Sequence, residues 1–341
     1  MKRGMLVFGA YLFLIVGFSS QVNAAKTEFL LDWIIYGKHA PFFVAQDMGF
    51  YKNVGLDVEY RRGFGSGDTV KKVGAKVAPI GFAATDSVIN ARANSDLLVK
   101  TIAMIEPRSL GALMFDKAKG YKTPKDLAGT KVGIQQGSVG QVLFPAFAAT
   151  NGLDAKAVEV ANMDYGSLLP SLLAGRVDTI FLFATELPTV RAKAAENKKE
   201  IGTFYFSDWG LDTYGNGIMV RDETAQSEPQ FVRNAMKALM EGWAWAMLHV
   251  EETVKNFLKY APGMSEPLIR EHLAIAIEHA LDDGTRRHGL GYMDHRKMDR
   301  GVELLTRLQN LKKRVPTEDL YTNRFLPQWP AIKAALGDEV K

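Results

Sequence analysis

Leu56-Asp57-Val58-Glu59-Tyr60 alternates apolar and polar side chains, and Gly63-Phe64-Gly65-Ser66-Gly67-Asp68 comes just after it. The alternation predicts a strand with one buried face. The glycines predict a sharp turn into a helix that runs from Thr69 to about Gly74. Downstream, residues 78–82 and 98–105 read as strands, with a helix at 86–92 between them. Upstream, apolar residues 28–33 read as a buried strand. Residues 41–49 read as a helix, with Pro41 in the first turn and Gly49 as C-cap. Strand and helix alternate throughout, which argues for an open, mostly parallel sheet with helices on both faces.

The pattern starts again after residue 110. Strands are expected at 110–115, 130–134, 158–160, 177–183 and 203–206. Thr123-Pro124-Lys125-Asp126-Leu127 reads as a capped helical turn, with Asp126 at the capping-box position. From Glu228 onward the chain is helical: Phe231, Ala235, Ala238, Leu239, Trp243, Met247 and Val250 form an apolar stripe. Trp243 is expected in the core. Two α/β runs followed by a helical tail fit a chain of 341 residues.

Composition narrows the function. The chain has no cysteine, which removes disulfide scaffolds, thiolate metal sites, thiol catalysis and lipid attachment through cysteine. Its net charge is +4, from 42 basic and 38 acidic residues. Lys2 and Arg3 precede an apolar run of about fourteen residues, Met5 to Phe18, and Val22-Asn23-Ala24 offers a cleavage site. Residues 1–24 are therefore expected to be a signal peptide. The protein is expected to be exported to a periplasm and not lipid-anchored. The loss of Lys2 and Arg3 brings the mature charge close to neutral, and no basic run remains to bind nucleic acid.

In open α/β sheets, ligands bind where strands end and helices begin. The turn after the first strand holds Asp32, Trp33, Tyr36 and His39. Trp33 offers a stacking face or a core ring. Ser66 lies in the glycine-rich turn. Thr85 and Asp86 start a helix, either as ligand contacts or as its cap. In the second run, Ser138 follows Gly137, Tyr165 starts a helix, and Glu186 follows a strongly apolar strand. Glu186 suits an amino or cationic group, or merely decorates a first turn. Trp209 and Tyr214 either cover a ligand or anchor a loop. The sequence contains no Gly-x-Ser-x-Gly, P-loop or His-Glu-x-x-His pattern. His272 and His279 share a helix face but stand too far apart for one metal. No catalytic residue, metal or cofactor is expected.

The run Ala40-Pro41-Phe42-Phe43-Val44-Ala45-Gln46-Asp47-Met48-Gly49-Phe50-Tyr51, continuing to Val58, resembles the opening of periplasmic substrate-binding proteins of ABC importers. It is similar to the subgroup that binds thiamine pyrimidine precursors, aliphatic sulfonates, taurine or nitrate. Thr123 to Gly133 and Leu168 to Asp178 resemble later segments of that family, and the likeness runs from about residue 27 to 260. It implies a two-lobe α/β clamshell, the periplasmic binding protein type II fold. Lobe 1 would comprise 27–112 plus 215–341, and lobe 2 would comprise 113–214. Each lobe would be a mostly parallel sheet flanked by helices.

The resemblance also implies a monomer that captures a small molecule between its lobes and delivers it to the transmembrane subunits of an ABC permease. Asp32-Trp33 with His39-Ala40-Pro41 looks like the binders of thiamine pyrimidine precursors. In that reading Trp33 with Tyr36 or Trp209 would stack on the ring, and Glu186 would pair its amino group. A sulfonate or nitrate binder would instead draw on Ser66, Thr85 and Ser138. The chain departs from the family at Lys76-Val77-Ala78-Pro79-Ile80, where Gly-x-Ala-Asp-Phe is usual. It also lacks the cysteine-rich motif of the fungal pyrimidine synthases, the enzymatic alternative on this fold.

Overall fold

Lys26–Leu30 forms β1 and Asp57–Arg61 forms β2. The two pair in parallel, and the glycine turn after β2 leads into a helix at Ser66–Gly74. This computed structural model describes residues 26–328 apart from 212 and 310. The expected signal peptide lies outside the described residues.

The first sheet adds β3 (Ile80–Ala84), β4 (Val99–Met104) and β10 (Asn216–Arg221), in the order β2-β1-β3-β10-β4. The second sheet holds β5 (Gly111–Asp116), β6 (Lys131–Gln135), β7 (Glu159–Met163), β8 (Thr179–Phe183) and β9 (Ile201–Tyr205), in the order β7-β6-β8-β5-β9. β1 is parallel to both its neighbours, as β6 is to both of its own. β10 and β5 run antiparallel to theirs. Each antiparallel strand is the one that receives the chain after it crosses between lobes. The second sheet begins at Gly111, and the chain is back in the first at Asn216. The chain passes between the two sheets twice, at 105–110 and 206–215.

The first strand is shorter than its apolar run predicts. After Leu31 the backbone pairs with the glycine turn, as Gly63 N–H donates to Trp33 O at 3.1 Å and Gly65 N–H to Asp32 O at 3.0 Å. Only glycine permits this approach, because a Cβ at Gly63 would stand 2.1 Å from Leu31 O. The strand therefore ends early, and Asp32 and Trp33 sit at its carboxyl end facing the cleft.

In the tail, the Pro229–Leu248 helix packs against the Ala40–Asp47 helix. A Cβ on Gly242 would lie 2.6 Å from Ala45 Cβ, so the two backbones touch. Trp243 is buried there against Phe42, with ring centroids 5.9 Å apart. Two more tail helices, Glu266–Ala280 and His295–Gln309, flank the cleft. The first reaches Ala184–Glu186 and the Leu187–Glu196 helix of lobe 2, and the second reaches the Gly140–Thr150 helix. Among the described residues no helix is long and apolar enough to cross a membrane.

Candidate functional site

The turn after β1 meets one short segment after β8. Trp33 Nε1 donates to Glu186 Oε1 at 3.2 Å, and the Tyr36 hydroxyl bonds Thr185 Oγ1 at 2.7 Å. Trp33 also packs edge-on against Tyr165 and Phe183, at centroid distances of 5.3 and 5.8 Å. Trp33, Tyr36 and Glu186 are buried and Tyr165 is half-buried. Four of the expected residues therefore stand together across the cleft.

Glu186 accepts a second bond, from Phe183 N–H at 3.0 Å. Burial pushes its carboxyl up to about 7 despite these donors. At neutral pH it therefore exchanges between a carboxylate that accepts and an acid that donates.

Asp32 and His39 lie beside this group in a different role. Asp32 Oδ1 bonds His39 Nε2 at 2.9 Å, while Oδ2 accepts from Lys38 Nζ at 2.7 Å and from Asn216 Nδ2 at 2.6 Å. His39 Nδ1 accepts from Tyr36 N–H at 3.3 Å, so both ring nitrogens are engaged. Lys38 also reaches Glu106 at 3.4 Å, and Glu106 accepts from Asn216 N–H at 3.2 Å. Burial would raise the Asp32 carboxyl, but Lys38 and His39 outweigh it and bring it down to about 2. Burial likewise opposes the Lys38 charge, yet Asp32 and Glu106 hold it above its ordinary value. Burial raises Glu106 to about 7. This network ties the turn to both crossings, since Glu106 lies on the outgoing one and Asn216 ends the return. Lys38 Nζ also stands 4.5 Å from the ring centroid of Phe183, a cation–π contact between the lobes.

The other expected residues lie elsewhere. Ser66 Oγ accepts from Ala84 N–H at 3.0 Å, Thr85 Oγ1 donates to Gly215 O at 3.0 Å, and Ser138 Oγ donates to Gln135 O at 2.8 Å. These hydroxyls are turned onto backbone. Asp86 is buried against the return crossing, where Oδ2 accepts from Thr213 Oγ1 at 3.3 Å and Oδ1 has no partner among the described residues. Burial raises it to about 7. Trp209 packs on Phe204 of its own lobe, at 5.6 Å. The Tyr214 hydroxyl accepts from Asp294 N–H at 2.7 Å and anchors the tail. On the far lip of the cleft, Gly65 and Gly67 abut Gly137, and Gln135 Nε2 donates to Phe64 O at 3.0 Å.

Lys38, Glu106 and Asn216 escape the sequence reading, as does His272, whose Nε2 bonds Thr189 Oγ1 at 2.9 Å. Lys38 sits inside the quoted turn, but lysine is seldom fully buried, so nothing in the sequence marks it as internal. Among the described residues no cluster of His, Asp or Glu could hold a metal.

Comparison with known proteins agrees with this architecture. The chain is 24% identical over 316 residues to the formylaminopyrimidine-binding protein of Halalkalibacterium halodurans, covering 89% of this chain and 94% of that one. It is 20% identical over 312 residues to a 4-amino-5-hydroxymethyl-2-methylpyrimidine phosphate synthase of Legionella pneumophila, covering 90% and 94%. The crystal structure of the periplasmic aliphatic sulphonate binding protein SsuA of Escherichia coli superposes with a TM-score of 0.63 at 13% identity, covering 86% and 91%. The fold is thus the two-lobe periplasmic binding protein fold, in two mixed five-stranded sheets. The family model described as NMT1/THI5 like matches residues 37–253, and the chain belongs to that family.

Proposed function

We propose that this protein is a non-catalytic solute-binding protein that captures a thiamine-precursor-like aminopyrimidine between its lobes and delivers it to an ABC permease. The observation that carries this reading is Glu186. It is buried, bridged across the cleft by the Trp33 indole, flanked by Tyr165, and near neutrality in its protonation. An aminopyrimidine edge presents an amino donor beside a ring-nitrogen acceptor. The protonated carboxyl, well populated in a group that titrates near 7, donates to the ring nitrogen and accepts from the amino group, and the aromatic rings around it supply apolar walls.

The same geometry disfavours a sulfonate or nitrate. The buried cation next to Glu186 is Lys38, and Asp32 and Glu106 already pair with it. The hydroxyls of Ser66, Thr85 and Ser138 bond backbone groups instead. An anion at this point would meet a carboxylate, and burying like charges together is costly. The synthase reading draws on the relative from Legionella pneumophila. It finds less support here, because among the described residues no cluster of His, Asp or Glu could hold a metal, and the sequence carries no Gly-x-Ser-x-Gly nucleophile motif.

Export to a periplasm and a monomeric state belong to the same proposal. Sequencing of the secreted protein is expected to begin at Ala25. Native mass spectrometry of the purified protein tests the ligand class. A bound mass matching an aminopyrimidine supports the proposal, and a bound sulfonate, or turnover of the pyrimidine, overturns it.

A further inference from the structure

Three polar bonds join the first lobe to residues 185–189 of the second. Two of them, Trp33 to Glu186 and Tyr36 to Thr185, come from the turn after β1. The third, His272 to Thr189, comes from the Glu266–Ala280 helix, which lies past the span that the family model matches.

The turn is shaped around this histidine. A Cβ on Gly37 would stand 2.5 Å from His272 Cβ, so only glycine lets the helix come this close. The Tyr36 ring meets the imidazole edge-on, with centroids 5.2 Å apart at 90°. His272 is buried, and its Nδ1 has no hydrogen-bond partner among the described residues. On its own helix the residues one turn away are Leu268, Ile269, Ile275 and Ala276, all apolar.

We infer that His272 is a positioning residue for lobe closure, and that the Glu266–Ala280 helix makes closure sensitive to acid. The bond to Thr189 forms only when the second lobe is down, and there the imidazole is enclosed in its neutral form.

The titratable groups packed around it do nothing to favour a positive charge strongly. From the turn they are Tyr36, His39 and Lys38, the last paired with Asp32 and Glu106. From lobe 2 they are Glu186, which bonds Trp33, and Lys193, which pairs with Glu196 at 2.9 Å. Burial, and then His39, hold the His272 pKa down at about 4. Opening exposes the ring and returns it toward the ordinary imidazole value of about 6.5. The sign follows: closure is fully favoured above about 6.5 and weakens by up to about tenfold per pH unit as the pH falls toward 4. This inference concerns closure alone and stands whichever ligand the cleft takes.

The test needs no ligand. The chain has no native cysteine, so Lys71→Cys and Lys156→Cys, at exposed sites on the two lobes, give a clean spin-label pair. Distances are measured by double electron–electron resonance at pH 7.5 and 5.0. The Glu186 carboxyl at the same contact is raised to about 7 and favours closure in acid, against His272, so the labelled parent carries Glu186→Gln. It is expected to be closed at pH 7.5, with its closed-to-open ratio falling roughly tenfold or more at pH 5.0. His272→Gln keeps a donor for Thr189 but cannot titrate, so its distances are expected not to change with pH. Thr189→Val, on the other lobe, is expected to shift both distributions toward open. The inference is overturned by a parent that is open at both pH values or equally closed at both. It is overturned equally by a Thr189→Val protein as closed as the parent, or by a His272→Gln protein that keeps the full acid response.

Discussion

Two buried carboxylates sit close together at the mouth of this cleft, and their surroundings are opposite. Asp32 is surrounded by Lys38, His39 and Asn216, and its carboxyl is drawn down to about 2. Glu186 has only neutral donors, the Trp33 indole and the Phe183 amide, and burial lifts it to about 7. Asp32 belongs to an ionic network that holds the turn to both crossings. Glu186 has a hydrogen bond on each oxygen but no cation paired with it. Burial alone does not separate the two roles; the presence of a compensating cation does.

The largest expected effect breaks the compensated side. Lys38→Met leaves Asp32 and Glu106 buried without their cation, and unfolding by urea is expected to show a loss of about 3–5 kcal/mol. A loss below about 1 kcal/mol would mean the network holds nothing together. Next comes Trp33→Phe, which keeps an aromatic ring but removes the donor to Glu186. An unsatisfied buried acceptor costs about 1–3 kcal/mol, so aminopyrimidine affinity is expected to fall about tenfold. Unchanged affinity in calorimetry would reduce Trp33 to a core ring.

A smaller effect lies in the pH dependence. A carboxyl raised by folding stabilises the protein below its ordinary pKa, and that contribution is lost as the pH climbs to the raised value. For Glu186 the window runs from about 4.5 to about 7. Glu186→Gln is therefore expected to lose less stability than the parent between pH 5 and 7.5. Asp32 behaves in the reverse sense: its contribution is present above about 3.9 and fades as the pH falls toward 2. Equal slopes for parent and Glu186→Gln in urea midpoints would contradict the contrast.

The smallest effect lies on the far lip. A Cβ on Gly67 would stand 3.0 Å from Gly137 O, a tight but not prohibitive approach. Gly67→Ala is expected to leave the melting temperature nearly unchanged and to weaken ligand binding only a few-fold. A tenfold loss would show that the glycine lip governs closure more than the Glu186 side does.

The contrast also explains what the sequence made legible. The alternation at Leu56–Tyr60 and the strand-end rule pointed to the turns where Trp33, Tyr36, Tyr165 and Glu186 meet, because those signals are local. The same turn carries Asp32, His39 and Lys38, but their roles depend on Glu106 and Asn216, which lie 74 and 184 positions from Asp32. No local pattern encodes such a pairing. Strand β1 ended early for a similar reason: Gly63, more than thirty positions downstream, takes the hydrogen bond that would have extended it. Trp209 and Tyr214 read in sequence as ligand covers or loop anchors, and their contacts are those of anchors: one packs on its own lobe and the other holds the tail. His272 was visible only as a helix position facing the same way as His279. Its meeting with Thr189 required the tail to fold back across the cleft.

The most direct test is calorimetric titration of the parent and Glu186→Leu with 4-amino-5-hydroxymethyl-2-methylpyrimidine and with taurine at pH 7. The account predicts that the parent binds the pyrimidine, that Glu186→Leu, which removes both donor and acceptor, binds it at least tenfold more weakly, and that neither binds taurine. Taurine binding to the parent, or undiminished pyrimidine binding by Glu186→Leu, would contradict it.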